Sequence, residues 1–240
     1  MMSASAKFSL LCLPCAGASA TMYLRWRRLL PQWMHIVPVE LPGRGTRMGE
    51  AFVDDYDTLV AKLCDEQGEA ISGAFALFGH SMGALLAHGM ARRLYASGAA
   101  QPRALLVSAC AAPSRRNPER FAGKDNDVSL TADLRKQGGT PEEVFASAEL
   151  MRITLDVLGA DYRICRSYAH DKVAGAAPLP FPVHAFAGRQ DDIDVDCIGA
   201  WSAETTGVFT LDAFDGGHFF IRQHETAFAE MLVRRLAQRS

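Results

Sequence analysis

An uncharged apolar segment, Ala74 to Phe78, runs without a spacer into Gly79-His80-Ser81-Met82-Gly83, and then into an amphipathic stretch from about Ala84 to Ala96 that stops near Gly98. A short apolar run ending at glycine reads as a buried strand, and the 3.6-residue periodicity beyond it as a helix. A strand that turns straight into a helix is half of a crossover, and crossovers build parallel sheets. The same alternation recurs along the chain. Phe8 to Leu13 reads as a strand, and His35 to Val39 as another, ending at the turn-rich Pro42-Gly43-Arg44-Gly45. Ala104 to Ser108 follows the helix, strand character resumes at Val183 to Ala187 and Val208 to Leu211, and a closing helix runs from about Glu225 to Ala237. The expectation is an α/β fold with a mostly parallel, doubly wound sheet.

After Pro113 the alternation breaks for about sixty residues and only helical periodicity remains. Thr140-Pro141-Glu142-Glu143 carries the signs of a capping box, with Thr140 as N-cap. Ser147 can cap the next helix, whose Leu150, Ile153, Val157 and Leu158 share one face. This insertion, about 114–176, reads as a lid or as an extra packing layer. Its Leu150 and Val157 either line a chamber or pack on neighbouring side chains. No repeat or linker divides the chain, and 240 residues that are 49% hydrophobic suffice for a core without staples, so one domain spanning 1–240 is expected.

Charge and patterning exclude several roles. Lys plus Arg number 25 and Asp plus Glu 27, a net −2, so no basic excess exists to hold a nucleic acid. No apolar run reaches the roughly 18 residues of a membrane span. Lys7, the apolar stretch Phe8 to Cys15 and Ala18-Ser19-Ala20 together fit an export signal, but one charge and the interrupting Pro14 fit a mature strand and loop better. The cysteines at 12, 15, 64, 110, 165 and 197 repeat no framework spacing, which suits reduced thiols in the cytoplasm. The Cys12/Cys15 pair lacks both the helix of a redox motif and the second pair of a zinc site.

The chemistry-bearing motif is the Gly79-to-Gly83 turn. It matches G-x-S-x-G between strand and helix, where a sharp turn exposes the serine at the carboxyl edge of the sheet. The competing reading is a glycine-flanked helix cap. A serine hydroxyl needs a general base. Among seven histidines, His80, His88 and His184 lie within the elbow, the next helix and a strand, where packing roles are expected. His218 follows a strand end and two glycines and is the candidate base, with His224 the alternative. The carboxylate that orients the base is expected upstream at a strand end. Asp191 and Asp192 both qualify, Asp191 lying nearer the strand; Asp194 and Asp196 read as a solvated loop and helix start. Two backbone N–H groups must face the developing oxyanion. Met82 follows the nucleophile, and the loop Leu13-Pro14-Cys15-Ala16-Gly17 offers Ala16. No metal or dissociable cofactor is called for.

Taken together, Leu13-Pro14-Cys15-Ala16-Gly17-Ala18-Ser19, Glu40-Leu41-Pro42-Gly43-Arg44, the Gly-His-Ser-Met-Gly elbow, Gly138-Gly139-Thr140-Pro141-Glu142-Glu143, Ala160-Asp161-Tyr162 and Gly216-Gly217-His218-Phe219-Phe220 resemble the type II, or editing, thioesterases of polyketide and nonribosomal peptide biosynthesis, in the α/β-hydrolase superfamily. The resemblance covers nearly the whole chain. It implies a triad of Ser81, Asp191 and His218, an oxyanion hole of Ala16 and Met82, a lid over an acyl chamber, and a monomer whose partner is an acyl- or peptidyl-carrier protein bearing acyl-phosphopantetheine. Cys15 stands where the family usually has histidine, which leaves a backbone donor intact. Gly159 stands where an arginine commonly precedes Ala-Asp-Tyr, which puts a lid or carrier contact in doubt. A general small-ester or acyl-CoA hydrolase without a carrier, and a non-catalytic hydrolase-like binding protein, are the alternatives.

Overall fold

Among the described residues every strand pairing is parallel, because each strand returns to the sheet through a crossover. The computed structural model describes residues 8–169 and 175–237. Six strands, β1 (Phe8–Leu13), β2 (Met34–Pro38), β3 (Phe75–His80), β4 (Leu105–Ser108), β5 (Val183–Gly188) and β6 (Phe209–Phe214), lie in the order β2-β1-β3-β4-β5-β6. This is the expected α/β fold. The chain steps outward from β1 to β2 and then returns to the other side of β1 at β3. Loops after β1 and β3 therefore diverge, leaving the crevice at the carboxyl ends where such sheets bind ligands.

Period-two alternation sends neighbouring side chains of each strand into different layers. On one face Leu11, Leu13, Leu77 and Val107 pack under α1 (Tyr56–Glu66), the single turn α2 (Gly68–Ile71) and α3 (Met82–Ala96). On the other, Leu10, Cys12, Phe78 and Phe186 meet Tyr23 and Trp26 of a 3-10 segment, Ala20–Arg28, and Phe228 of the closing helix. The Phe8 to Cys15 stretch is thus a central strand and its outgoing loop, as the strand reading expects; Lys7 lies outside the described residues. All six cysteines are free. α1 and the 3-10 segment were not anticipated, although Asp55 accepting from Thr58 N–H is an ordinary N-cap.

Between β4 and β5 run α4 (Asp127–Gln137), α5 (Glu142–Ala146) and α6 (Ala148–Ser167), preceded by 3-10 turns at Pro113–Arg115 and Pro118–Phe121. Positions 170–174 of the insertion lie outside the described residues. Leu130, Leu155, Leu158 and Tyr162 form its small core. Ser147 caps α6 as expected, accepting from Leu150 N–H. Thr140 does not cap α5: extended Pro141 occupies the N-cap position, one residue later than expected, and α5 has no side-chain cap. The capping box of this region belongs instead to Asn126 and Ser129 at the head of α4. Leu150 and Ile153 are exposed whereas Val157 and Leu158 are buried, because the face of α6 turned to the insertion core runs through Met151, Leu155, Leu158 and Tyr162. Neither Leu150 nor Val157 lines the cavity beside Ser81. After β5 come α7 (Val195–Gly199), capped by Asp194, then α8 (Phe220–Gln223) and α9 (Glu225–Ala237) after β6.

Candidate functional site

Ser81 sits between β3 and α3 with φ 55° and ψ −118°, outside the regions open to most L-residues. Its N–H donates to the Ser108 carbonyl at 2.7 Å, which ties the elbow to the end of β4. The flanking glycines are required by contact. A Cβ on Gly79 would lie 2.0 Å from the Gly83 carbonyl oxygen, and one on Gly83 would lie 2.2 Å from the Leu13 carbonyl oxygen. The helix thereby starts against the loop that follows β1, the loop that carries Ala16. Met82 opens α3, so its N–H has no acceptor within the helix.

Two loops from the other half of the sheet meet behind the serine. Arg189 N–H donates to the Phe214 carbonyl and Gln190 N–H to the Gly216 carbonyl, at 2.9 and 3.0 Å. Gly188 admits this approach, as a Cβ there would be 2.5 Å from the Gly217 carbonyl oxygen. His218 is thereby set against Asp191, its Nδ1 donating to Asp191 Oδ2 at 2.8 Å with side chains only 6% and 2% exposed. Asp192 turns outward to Lys136 at 2.7 Å. The His80 ring, next to Ser81 in the chain, lies 5.2 Å from that of His218.

Four other histidines make packing or hydrogen-bonding contacts. His80 meets Ser108 Oγ through Nδ1 at 2.9 Å, and burial, reinforced by the His218 and Arg222 charges, holds it well below the ordinary histidine range. His184 meets Thr210 Oγ1, and burial lowers it to about 4. His88 packs against Trp201 and faces Glu204, and His224 bonds the Asp215 carbonyl. Burial also pushes the Cys15 thiol up to about 11, so it is no nucleophile at neutral pH.

A cavity of about 300 Å³ opens beside Ser81 and Met82, walled by Leu85, Ala111, Phe121 and Cys165, with Arg115 and Arg116 at its side. A second, also about 300 Å³, lies across the Ala16 loop, bounded by Gly17, Leu158, Phe219 and Arg222. Among the described residues no cluster of three or more His, Cys, Asp or Glu is placed to hold a metal ion. None of the helices there is long and apolar enough to cross a membrane. One arrangement has no counterpart in the sequence-based site. The Arg44 and Asp161 side chains pair beneath the Ala16 loop; the available signal was an arginine set between turn glycines and an acid inside an apolar helix face.

A strained serine at the carboxyl end of a central parallel strand and a buried histidine–carboxylate pair fit a hydrolase of the α/β class. The chain matches the thioesterase domain family over residues 8–236 and belongs to that family of thioester hydrolases. It is 30% identical over 233 residues to the gramicidin S biosynthesis protein GrsT of Aneurinibacillus migulanus, covering 97% of this chain and 90% of that one. Among solved structures, the type II thioesterase BorB from the borrelidin biosynthetic cluster is 38% identical, with a TM-score of 0.86 over 96% of this chain and 93% of BorB. The RedJ thioesterase of the prodiginine pathway in Streptomyces coelicolor is 33% identical, with a TM-score of 0.84 over 98% and 91%.

Proposed function

We propose that this enzyme hydrolyses acyl groups held as thioesters on the phosphopantetheine arm of a carrier protein, in polyketide or nonribosomal peptide biosynthesis, clearing stalled or misprimed carriers. The observation that carries the reading is the placement of Ser81 and Met82 beside one cavity and Ala16 beside another. A thioester has two arms, and this arrangement suits an acyl group in the first cavity and the pantetheine in the second. The relatives named for gramicidin S, borrelidin and prodiginine biosynthesis support the setting.

In this reading His218 Nε2 takes the proton of Ser81 as Oγ attacks the thioester carbonyl, and Asp191 holds the imidazole by its Nδ1–H. The carbonyl oxygen becomes an oxyanion facing the N–H groups of Ala16 and Met82. Collapse breaks the C–S bond, and His218 gives its proton to the departing thiolate sulfur, which leaves as the free thiol. Water, deprotonated by His218, then attacks the acyl-serine, and Ser81 leaves with its proton restored. The segment 114–176 acts as a lid within a single domain, its Phe121 and Cys165 facing the acyl group. The test is hydrolysis of matched acyl groups on a carrier protein, on coenzyme A and on a simple ester. The proposal requires the carrier to be preferred; equal rates on all three would support a general hydrolase instead.

A further inference from the structure

Arg44 and Asp161 form an ion pair sealed from solvent, with side chains 4% and 0% exposed. The guanidinium grips the carboxylate as a fork, Nη1 donating to Oδ2 and Nη2 to Oδ1, each at 2.6 Å. The partners are 117 residues apart, Arg44 after β2 and Asp161 on α6 of the insertion. Between them passes the loop after β1. Gly17 N–H donates to Asp161 Oδ2 at 2.8 Å, and Arg44 Nη1 also donates to the Ala18 carbonyl at 3.3 Å.

Stability alone is a weak reason for such a pair, because both ions lose their hydration and well-packed apolar residues of similar volume usually serve as well. Arg44 Nε is, in addition, buried without a hydrogen-bond partner. What the pair fixes is direction. Gly17 N–H belongs to the peptide plane that begins at the Ala16 carbonyl, so anchoring it fixes rotation about the Ala16 Cα–C bond. The Ala18 carbonyl anchors the chain just beyond.

We infer that Arg44 and Asp161 are positioning residues that aim the Ala16 N–H at the oxyanion, so that the insertion contributes to the hole through α6. The inference rests on the catalytic reading above. Its test is the paired change Arg44→Met/Asp161→Leu, which removes both charges while keeping the interior filled. Thermal melts establish folding. Kinetics on an acyl-carrier are compared with affinity for two probes: a trifluoromethyl ketone analogue, which forms a tetrahedral adduct, and a ground-state amide analogue. We expect kcat to fall about 30-fold with KM changed less than about threefold, ketone affinity to fall in parallel, and amide affinity to hold. An unchanged kcat and ketone affinity in the folded variant would overturn the inference, as would KM and amide affinity worsening in step with kcat. Should the apolar pair fail to fold, Arg44→Gln/Asp161→Asn removes the charges while keeping polar side chains that can still hydrogen-bond. It is expected to lower kcat about tenfold with the same signature, and an unchanged kcat there overturns the inference equally. Labelling of Ser81 by a fluorophosphonate separates the two levels. Wild-type protein that is not labelled removes the catalytic reading itself, whereas labelled protein with an indifferent pair variant removes only the clamp.

Discussion

His218 turns its Nδ1 to Asp191 at 2.8 Å, while the adjacent Asp192 points away to Lys136 at 2.7 Å. One residue of separation gives Asp191 a buried histidine partner and Asp192 an exposed lysine one. Asp191→Asn should lower kcat about 10⁴-fold, as the amide favours the wrong imidazole tautomer. Asp192→Asn removes an exposed ion pair and should change kcat less than about threefold. Steady-state hydrolysis of an acyl-carrier by both variants checks the assignment, and a large loss in the Asp192 variant alone would reverse it.

The elbow makes a prediction about folding. A Cβ on Gly83 would press on backbone, at 2.2 Å from the Leu13 carbonyl oxygen, and no flexible side chain is there to yield. Gly83→Ala is expected to destabilise the protein by about 3 kcal/mol, by pushing α3 from the loop after β1. Urea unfolding measures this. Gly98→Ala is a useful contrast, since its surroundings are open and only its positive φ resists the change.

His184 gives stability a pH dependence. In the unfolded chain its imidazole takes up a proton below its ordinary value of 6.5, whereas in the folded protein burial delays uptake to about 4. The contribution of His184 is therefore full above pH 6.5 and is lost as pH drops toward 4, a change of about 3 kcal/mol. Buried His80 acts with the same sign. Melts of wild type and His184→Asn across this window should show a shallower fall in the variant; parallel curves would exclude His184 as a cause.

The chamber wall offers a test of selectivity. Cys165 is buried in α6 and lines the cavity beside Ser81. Cys165→Phe should fill part of the space, lowering kcat/KM at least about tenfold for medium-chain acyl groups while leaving acetyl within about threefold. A chain-length series on the same carrier reads the result.

How much of this was visible beforehand depended on how local each signal was. β1, β3 and the elbow were legible because each is a continuous run whose apolar or glycine residues are required by burial and contact at that place. β6 was expected over Val208 to Leu211 but runs Phe209–Phe214, because an edge strand is only half-buried and tolerates Asp212, which pairs with Arg235. Thr140 was misread because the cap pattern does not reveal whether proline opens the helix or precedes it. Asp191 and His218 could be proposed from strand ends and glycines, since the sheet itself brings those ends together. The Arg44–Asp161 pair could not: its partners are 117 residues apart, and only the seating of α6 on the sheet joins them.

The central claim is that Ser81 carries the acyl group. Intact-mass analysis of an acetyl-loaded carrier protein, before and after exposure to wild type and to Ser81→Ala, tests it most directly. Wild type should return the carrier to its free-thiol mass and show a transient acyl adduct on its own chain, while Ser81→Ala, folded to the same melting temperature, should leave the carrier loaded. Release of acetate by Ser81→Ala at the wild-type rate would contradict the account.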